Sequence, residues 1–190
     1  MAERPFTILG ICGSLRAGSY NKAALQAAQQ LAPEGVRIEI FVPDGIPPYS
    51  QDLEHDLPPR VRELKAAVRA AGALLFASPE YSHSVPGVLK NVLDWGTRPP
   101  RASCWEGKPG AIMGVSSGAI GTARMQEHLR QVLCAVGILA LGRPEVLIGQ
   151  AAQKFDVLGH LTDEKSRAAI QGLVVALVDW ARGLERGQAR

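Results

Sequence analysis

Residues 6–31 decide the fold. They read Phe6-Thr7-Ile8-Leu9-Gly10-Ile11, then Cys12-Gly13-Ser14-Leu15-Arg16-Ala17-Gly18-Ser19-Tyr20-Asn21, then Lys22-Ala23-Ala24-Leu25-Gln26-Ala27-Ala28-Gln29-Gln30-Leu31. The first block is short, apolar and rich in β-branched residues, as in a buried strand. The second is small, flexible and hydroxyl-bearing. The third is made of good helix formers. Strand, glycine-rich loop and helix in that order make an anion site, because a helix N-terminus carries unpaired N–H groups and partial positive charge. Gly13 and Gly18 allow close backbone approach, Ser14, Ser19 and Asn21 offer side-chain hydrogen bonds, and Arg16 adds a fork-shaped cation suited to phosphate. This loop is read as a cradle for one phosphate group.

Four rival readings are weaker. Gly10, Gly13 and Gly18 lack the G-x-G-x-x-G spacing of a dinucleotide fingerprint, and no Gly-Lys-Ser/Thr closes a P-loop. A phosphatase loop normally sets its arginine six positions after the cysteine; Arg16 stands four after Cys12, which reads better as a packed small hydrophobe. An ordinary surface turn is disfavoured because strand-to-helix turns usually run only about 2–6 residues.

Outward from this stretch, strands and helices alternate. Strands are read at Val36–Val42, Ala73–Ala77, Ala111–Val115 and, interrupted by Pro144, Ile138–Ile148. Helices are read at Arg60–Ala71 with Gly72 as its C′ residue, Val88 to about Trp95, from after Gly121 to about Val136, and from a Thr162 or Asp163 cap to about Leu184. Gly187–Arg190 is read as a frayed tail. Pro43–Pro59 is a long proline-rich segment in which Tyr49 either covers a ligand or plugs a core edge. Five such alternations predict a parallel sheet with helices on both faces, and the leading strand order is 2-1-3-4-5. Ligands of such sheets sit at the carboxyl ends of the strands. The loops opening at Cys12, Ser78 and Ser116 follow strands 1, 3 and 4 and are expected to meet there.

The chain has 190 residues, a net charge of +3 and 46% hydrophobic residues. That predicts one domain over residues 1–190. Its lysines and arginines form no block, so neither nucleic acid nor an anionic membrane is an expected partner. Three cysteines, Cys12, Cys104 and Cys134, have no metal spacing. Sparse cysteines, no leader after Met1 and no membrane-length apolar run predict a cytoplasmic protein.

A slot with a phosphate cradle at one end and peptide edges at the other suits a mononucleotide with a planar heterocycle, and FMN is the natural candidate. In the second and third loops Pro79 and Tyr81 offer flat or rigid surface, Glu80, Ser82, Ser116 and Ser117 offer polar groups, and Gly118 and Gly121 allow close backbone approach. Gly13-Ser14-Leu15-Arg16 with Ser19 and Asn21, then Pro79-Glu80-Tyr81, Val85-Pro86-Gly87-Val88-Leu89-Lys90-Asn91 and Asp94-Trp95, resemble the NADPH-dependent FMN reductase family. This is the flavodoxin-like group with bacterial quinone and chromate reductases and azoreductases. The resemblance runs to the helix at Arg124–Leu133. It implies a flavodoxin-like three-layer α/β sandwich, with FMN as cofactor and NADPH or NADH as co-substrate. A hydride would pass ping-pong fashion to a quinone, flavin, azo compound or metal oxyanion such as chromate.

By the same resemblance, Ser14, Arg16, Ser19 and Asn21 hold the FMN phosphate and ribityl chain, and residues 79–82 and 116–118 flank the ring. No side chain need act as acid or base, and homodimers or homotetramers are implied. The chain departs from the family at Ser82, where asparagine is usual, at His83, often aromatic, and at Gly121-Thr122, often Gly-Gly. His83 reads as an acid–base or a surface residue, and Trp95 as core or subunit interface. Arg98 and Arg101 read as contacts to a 2′-phosphate or as plain surface charge; Arg124 and His128, one helical turn apart, as a subunit contact. The alternatives are a non-enzymatic FMN electron carrier, against which the positive net charge counts, and a flavin-free scaffold.

Overall fold

The computed structural model describes residues 5–188. Eleven principal elements are described: β1 (Phe6–Cys12), α1 (Tyr20–Leu31), β2 (Val36–Phe41), α2 (Pro59–Ala70), β3 (Ala73–Ala77), α3 (Gly87–Gly96), β4 (Pro109–Val115), α4 (Ala123–Ala135), β5 (Leu139–Ala140), β6 (Val146–Ile148) and α5 (Glu164–Gln188). All the strand pairings are parallel, in the order β2-β1-β3-β4-β5, with β6 also on β4. This is the expected flavodoxin-like order. The fifth position is filled twice. Leu139 and Ala140 pair with Pro109 and Gly110, and Val146–Ile148 pair with Met113–Val115. Pro144 lies in the gap, since it has no N–H to give a ladder.

Strand side chains alternate between two cores. Ala73, Leu75 and Ala77 of β3 face α1 and α5, whereas Leu74 and Phe76 face α2, α3 and α4. Burial on both faces is why β3 is apolar throughout. Helix α5 is capped by Asp163, whose carboxylate accepts from the Ser166 amide at 2.9 Å and hydroxyl at 2.6 Å. It runs to Gln188, beyond the expected end, so Gly187 and Gln188 are helical; residues 189–190 of the expected tail lie outside the described residues.

Gly72 differs from expectation too. Its φ is not left-handed, so it makes no glycine C-cap. It is small because a Cβ there would sit 2.6 Å from the Phe6 ring. The buried Lys65 terminates α3, donating to the Gly96 carbonyl at 3.1 Å and to Ala102 O at 2.9 Å. No described helix is long and apolar enough to cross a membrane.

Candidate flavin site

The loops after β1, β3 and β4 meet at the carboxyl edge of the sheet around a cavity of about 340 Å³. The first loop supplies Ser14, Arg16 and Ser19 to its lining. Gly13 N–H donates to Ala77 O at 2.8 Å, and a Cβ at Gly13 would lie 2.4 Å from Ser78 Oγ. Glycine is therefore required for the first and second loops to cross. Ser19 caps α1 by accepting from the Lys22 amide at 3.3 Å. The Arg16 guanidinium lies 5.2 Å from the centroid of the Tyr20 ring. Cys12 is fully buried, and burial pushes its thiol pKa up, which removes the nucleophile a phosphatase needs.

Asn21 lines the cavity, but its side chain is spent elsewhere. Its Nδ2 donates to Val115 O at 3.0 Å and its Oδ1 accepts from Val115 N–H at 2.9 Å. The reason lies in the ladder. Ser116 N–H points to β6, bonding Ile148 O at 2.9 Å, so the Val115 groups face the β3 side. The register with β3 ends at Ala77 and Met113. The Asn21 amide stands in for the missing strand, so the side chain expected at the phosphate is held by β4.

The second loop lines the cavity with Pro79, Glu80 and Tyr81. Tyr81 and Ser84 exchange backbone hydrogen bonds of 3.2 and 2.9 Å around a two-residue turn. Ser82 (φ 49°) and His83 (φ 62°) are both left-handed, as a type I′ turn demands. Ser82 sits at the turn and is not among the cavity-lining residues, unlike the expectation. Asparagine tolerates that conformation better than serine, a physical reason for it at this position. The Glu80 side chain is 9% exposed, not solvated. It accepts from the Met125 N–H at 3.0 Å, in the first turn of α4, and lies 3.5 Å from Arg124.

The third loop lines the cavity with Ser116 and Ser117. Gly118 does not line it: its carbonyl accepts from Gln150 N–H at 3.0 Å, tying this loop to the chain after β6. Gly121 (φ 65°) approaches the Leu147–Ile148 backbone, and Thr122 is fully buried over Gly114. The residue that departs from Gly-Gly, Thr122, therefore packs on Gly114 of β4.

Tyr20 and Val115 also line the cavity and were missed. The aromatic directly after the Ser19 cap was the available signal for Tyr20. Arg98 is engaged elsewhere, 3.8 Å from Glu54 and over the Tyr49 ring. Tyr49 itself stacks edge-on against Trp95 at 5.1 Å, which makes it a core plug. Arg124 and His128 both reach back to the second loop, His128 Nδ1 lying 3.0 Å from Ser84 Oγ.

The family model for NADPH-dependent FMN reductases matches residues 6–153. The chain belongs to that family. It is 50% identical over 178 residues to an NAD(P)H-dependent FMN reductase of Pseudomonas aeruginosa, covering 93% of this chain and 96% of the relative. It is 41% identical over 172 residues to a 2-hydroxy-1,4-benzoquinone reductase of a Burkholderia species, covering 90% and 94%. Among solved structures it resembles FerB, a flavoenzyme NAD(P)H:(acceptor) oxidoreductase of Paracoccus denitrificans. The TM-score there is 0.85 at 38% identity, over 93% of this chain and 97% of that one.

This FMN reductase family member is an oxidoreductase with FMN as cofactor and NAD(P)H as co-substrate. The residues present fit the cofactor. The phosphate end has a guanidinium, two buried hydroxyls and the first-turn amides of α1, which have no intrahelical acceptor. The one carboxylate among the lining residues, Glu80, is turned to α4.

Proposed function

We propose that this reductase passes electrons from NAD(P)H to quinones and related planar aromatic acceptors. Ser14, Arg16 and Ser19 would hold the FMN phosphate, the Pro79–Tyr81 backbone would border the ring, and Ser116 and Ser117 would face its other side. When bound, FMN supplies the redox chemistry, accepting a hydride and giving electrons to the acceptor. The chain's own residues bind, orient and exclude water, with the backbone N–H groups of Glu80 and Ser82 available to stabilise negative charge, that of Tyr81 being held by Ser84 O.

One observation carries the choice of acceptor. Tyr81, 53% exposed, lines the cavity, and the other two loops carry the exposed Leu15 and Ile120. An exposed aromatic at the cavity favours a flat aromatic molecule over a hydrated oxyanion such as chromate. The relatives named quinone or benzoquinone reductase support this reading. NAD(P)H and acceptor use one opening in turn, which is a ping-pong scheme. The chain works in the cytoplasm as a homodimer or homotetramer, which sedimentation will distinguish from a monomer.

The deciding test is an absorption spectrum before and after anaerobic NADPH, followed by steady-state kinetics with benzoquinone and chromate. Flavin bands that bleach, and a higher kcat/KM for the quinone, are expected. Flavin bands that persist would point to a carrier, and a preference for chromate would overturn the acceptor assignment.

A further inference from the structure

We propose that Glu80 is a positioning residue for the flavin ring, acting through the backbone of the second loop. This rests on the seating of FMN described above. Pro79, Glu80 and Tyr81 line the cavity, yet the Glu80 side chain leaves it. Its Oε2 accepts from the Met125 amide at 3.0 Å and its Oε1 lies 3.5 Å from Arg124 Nη1.

Three features make this bond specific. First, the Met125 N–H is one of the first-turn amides of α4 that have no intrahelical partner. Thr122, at the usual cap position, gives α4 no side-chain cap, because its hydroxyl accepts from Gln126 Nε2 at 3.2 Å. Glu80 thus caps α4 from 45 residues away. Second, its carboxylate meets the positive end of that helix, a favourable placement for an anion. Third, the loop's other ties lie to either side of Glu80. Ser78 N–H bonds Met113 O at 3.2 Å, Tyr81 bonds forward to Ser84, and Ser84 Oγ lies 3.0 Å from His128 Nδ1, itself on α4. The wall facing the ring therefore takes its position from α4.

The test compares Glu80→Ala, Glu80→Gln and Arg124→Ala in apoprotein melting, FMN titration by fluorescence quenching, and the visible spectrum of bound FMN. Glutamine keeps an acceptor for the Met125 N–H and loses the charge. Glu80→Ala is expected to weaken FMN binding about tenfold and shift the bound-flavin spectrum, as losing a hydrogen bond to a charged group allows. Its apoprotein melting falls only by the few degrees that a lost cap causes. Glu80→Gln and Arg124→Ala stay within about threefold of the parent, the size of an exposed ion pair.

Parent-like FMN binding and spectrum in Glu80→Ala would overturn the proposal. So would a Glu80→Gln as weak as Glu80→Ala, because the hydrogen bond to Met125, which glutamine keeps, would then not be what places the loop. Should Glu80→Ala fail to fold, Glu80→Asp replaces it. Aspartate is one methylene short of Met125, so binding as tight as Glu80→Gln would overturn the assignment. Failure of the parent protein to bind FMN would remove the functional reading as well, a result separate from all of these.

Discussion

Replacing Asn21 by alanine removes two hydrogen bonds from the end of β4 and leaves both backbone groups of Val115 without partners. Val115 and Asn21 are 2% and 3% exposed, so water does not readily replace the amide. Each stranded group costs about 1–3 kcal/mol, giving a loss of about 2–4 kcal/mol after partial relaxation. For a chain of this size, each kcal/mol moves Tm by about 2–4 °C, so the apoprotein should melt about 5–15 °C lower. The assay is thermal melting of the apoprotein, with FMN titration beside it. Asn21→Asp should be nearly as damaging, since a carboxylate accepts from Val115 N–H but repels Val115 O. An Asn21→Ala apoprotein that melts like the parent while losing FMN affinity would refute the ladder reading and restore Asn21 to the phosphate.

Arg16→Ala should weaken FMN binding about 10- to 100-fold with little effect on apoprotein melting, in line with a lost charge-assisted hydrogen bond; an unchanged affinity would sink the phosphate assignment. Burial raises the thiol pKa of Cys12 and of Cys104, whereas Cys134 is exposed; maleimide at pH 7 should label Cys134 alone, as peptide mapping would show. Hydrogen bonds from Ser166 hold the Asp163 carboxyl below its ordinary 3.8. A depressed carboxylate stabilises the fold above its unfolded value, and that contribution is lost as pH falls through the folded value. Asp163→Ala should therefore lower the urea midpoint at pH 7, and the difference from the parent should shrink as pH falls below the ordinary 3.8 and through the depressed folded value.

The sheet was legible because its strands are apolar runs and its helices follow at regular intervals. The order of β2, β1, β3 and β4 follows from that alternation and from handed crossovers. The meeting of three loops at one edge was equally legible, because it depends on chain direction alone. What escaped was the use of individual side chains. Asn21 stands two residues past a helix cap, where the same residue type suits a ligand or a neighbouring strand; only the end of β3 at Ala77 decides between them. The use of the Glu80 side chain escaped because its partner amide is distant in sequence. Ser82 and Gly118 were assigned to the ring by motif position; neither lines the cavity, Ser82 sitting in a left-handed turn and Gly118 being tied to Gln150. Arg98 belongs to a cluster with Tyr49 and Glu54 that no local pattern announces.

The crossing of the first two loops limits how this site can change over generations. A β-carbon at position 13 would meet Ser78 Oγ at 2.4 Å and Ser78 Cβ at 2.7 Å, and the Ser78 Cα at 3.0 Å. Two of these three collisions vanish if position 78 is itself glycine, and the third asks for a small backbone shift. The crossing thus holds one β-carbon between two residues 65 positions apart, and drift at either is conditional on the other. Alanine at 13 with glycine at 78 is the accessible exchange, reached most easily through an intermediate with glycine at both. In a library randomised at both positions and selected for cofactor retention, the surviving pairs should trade volume.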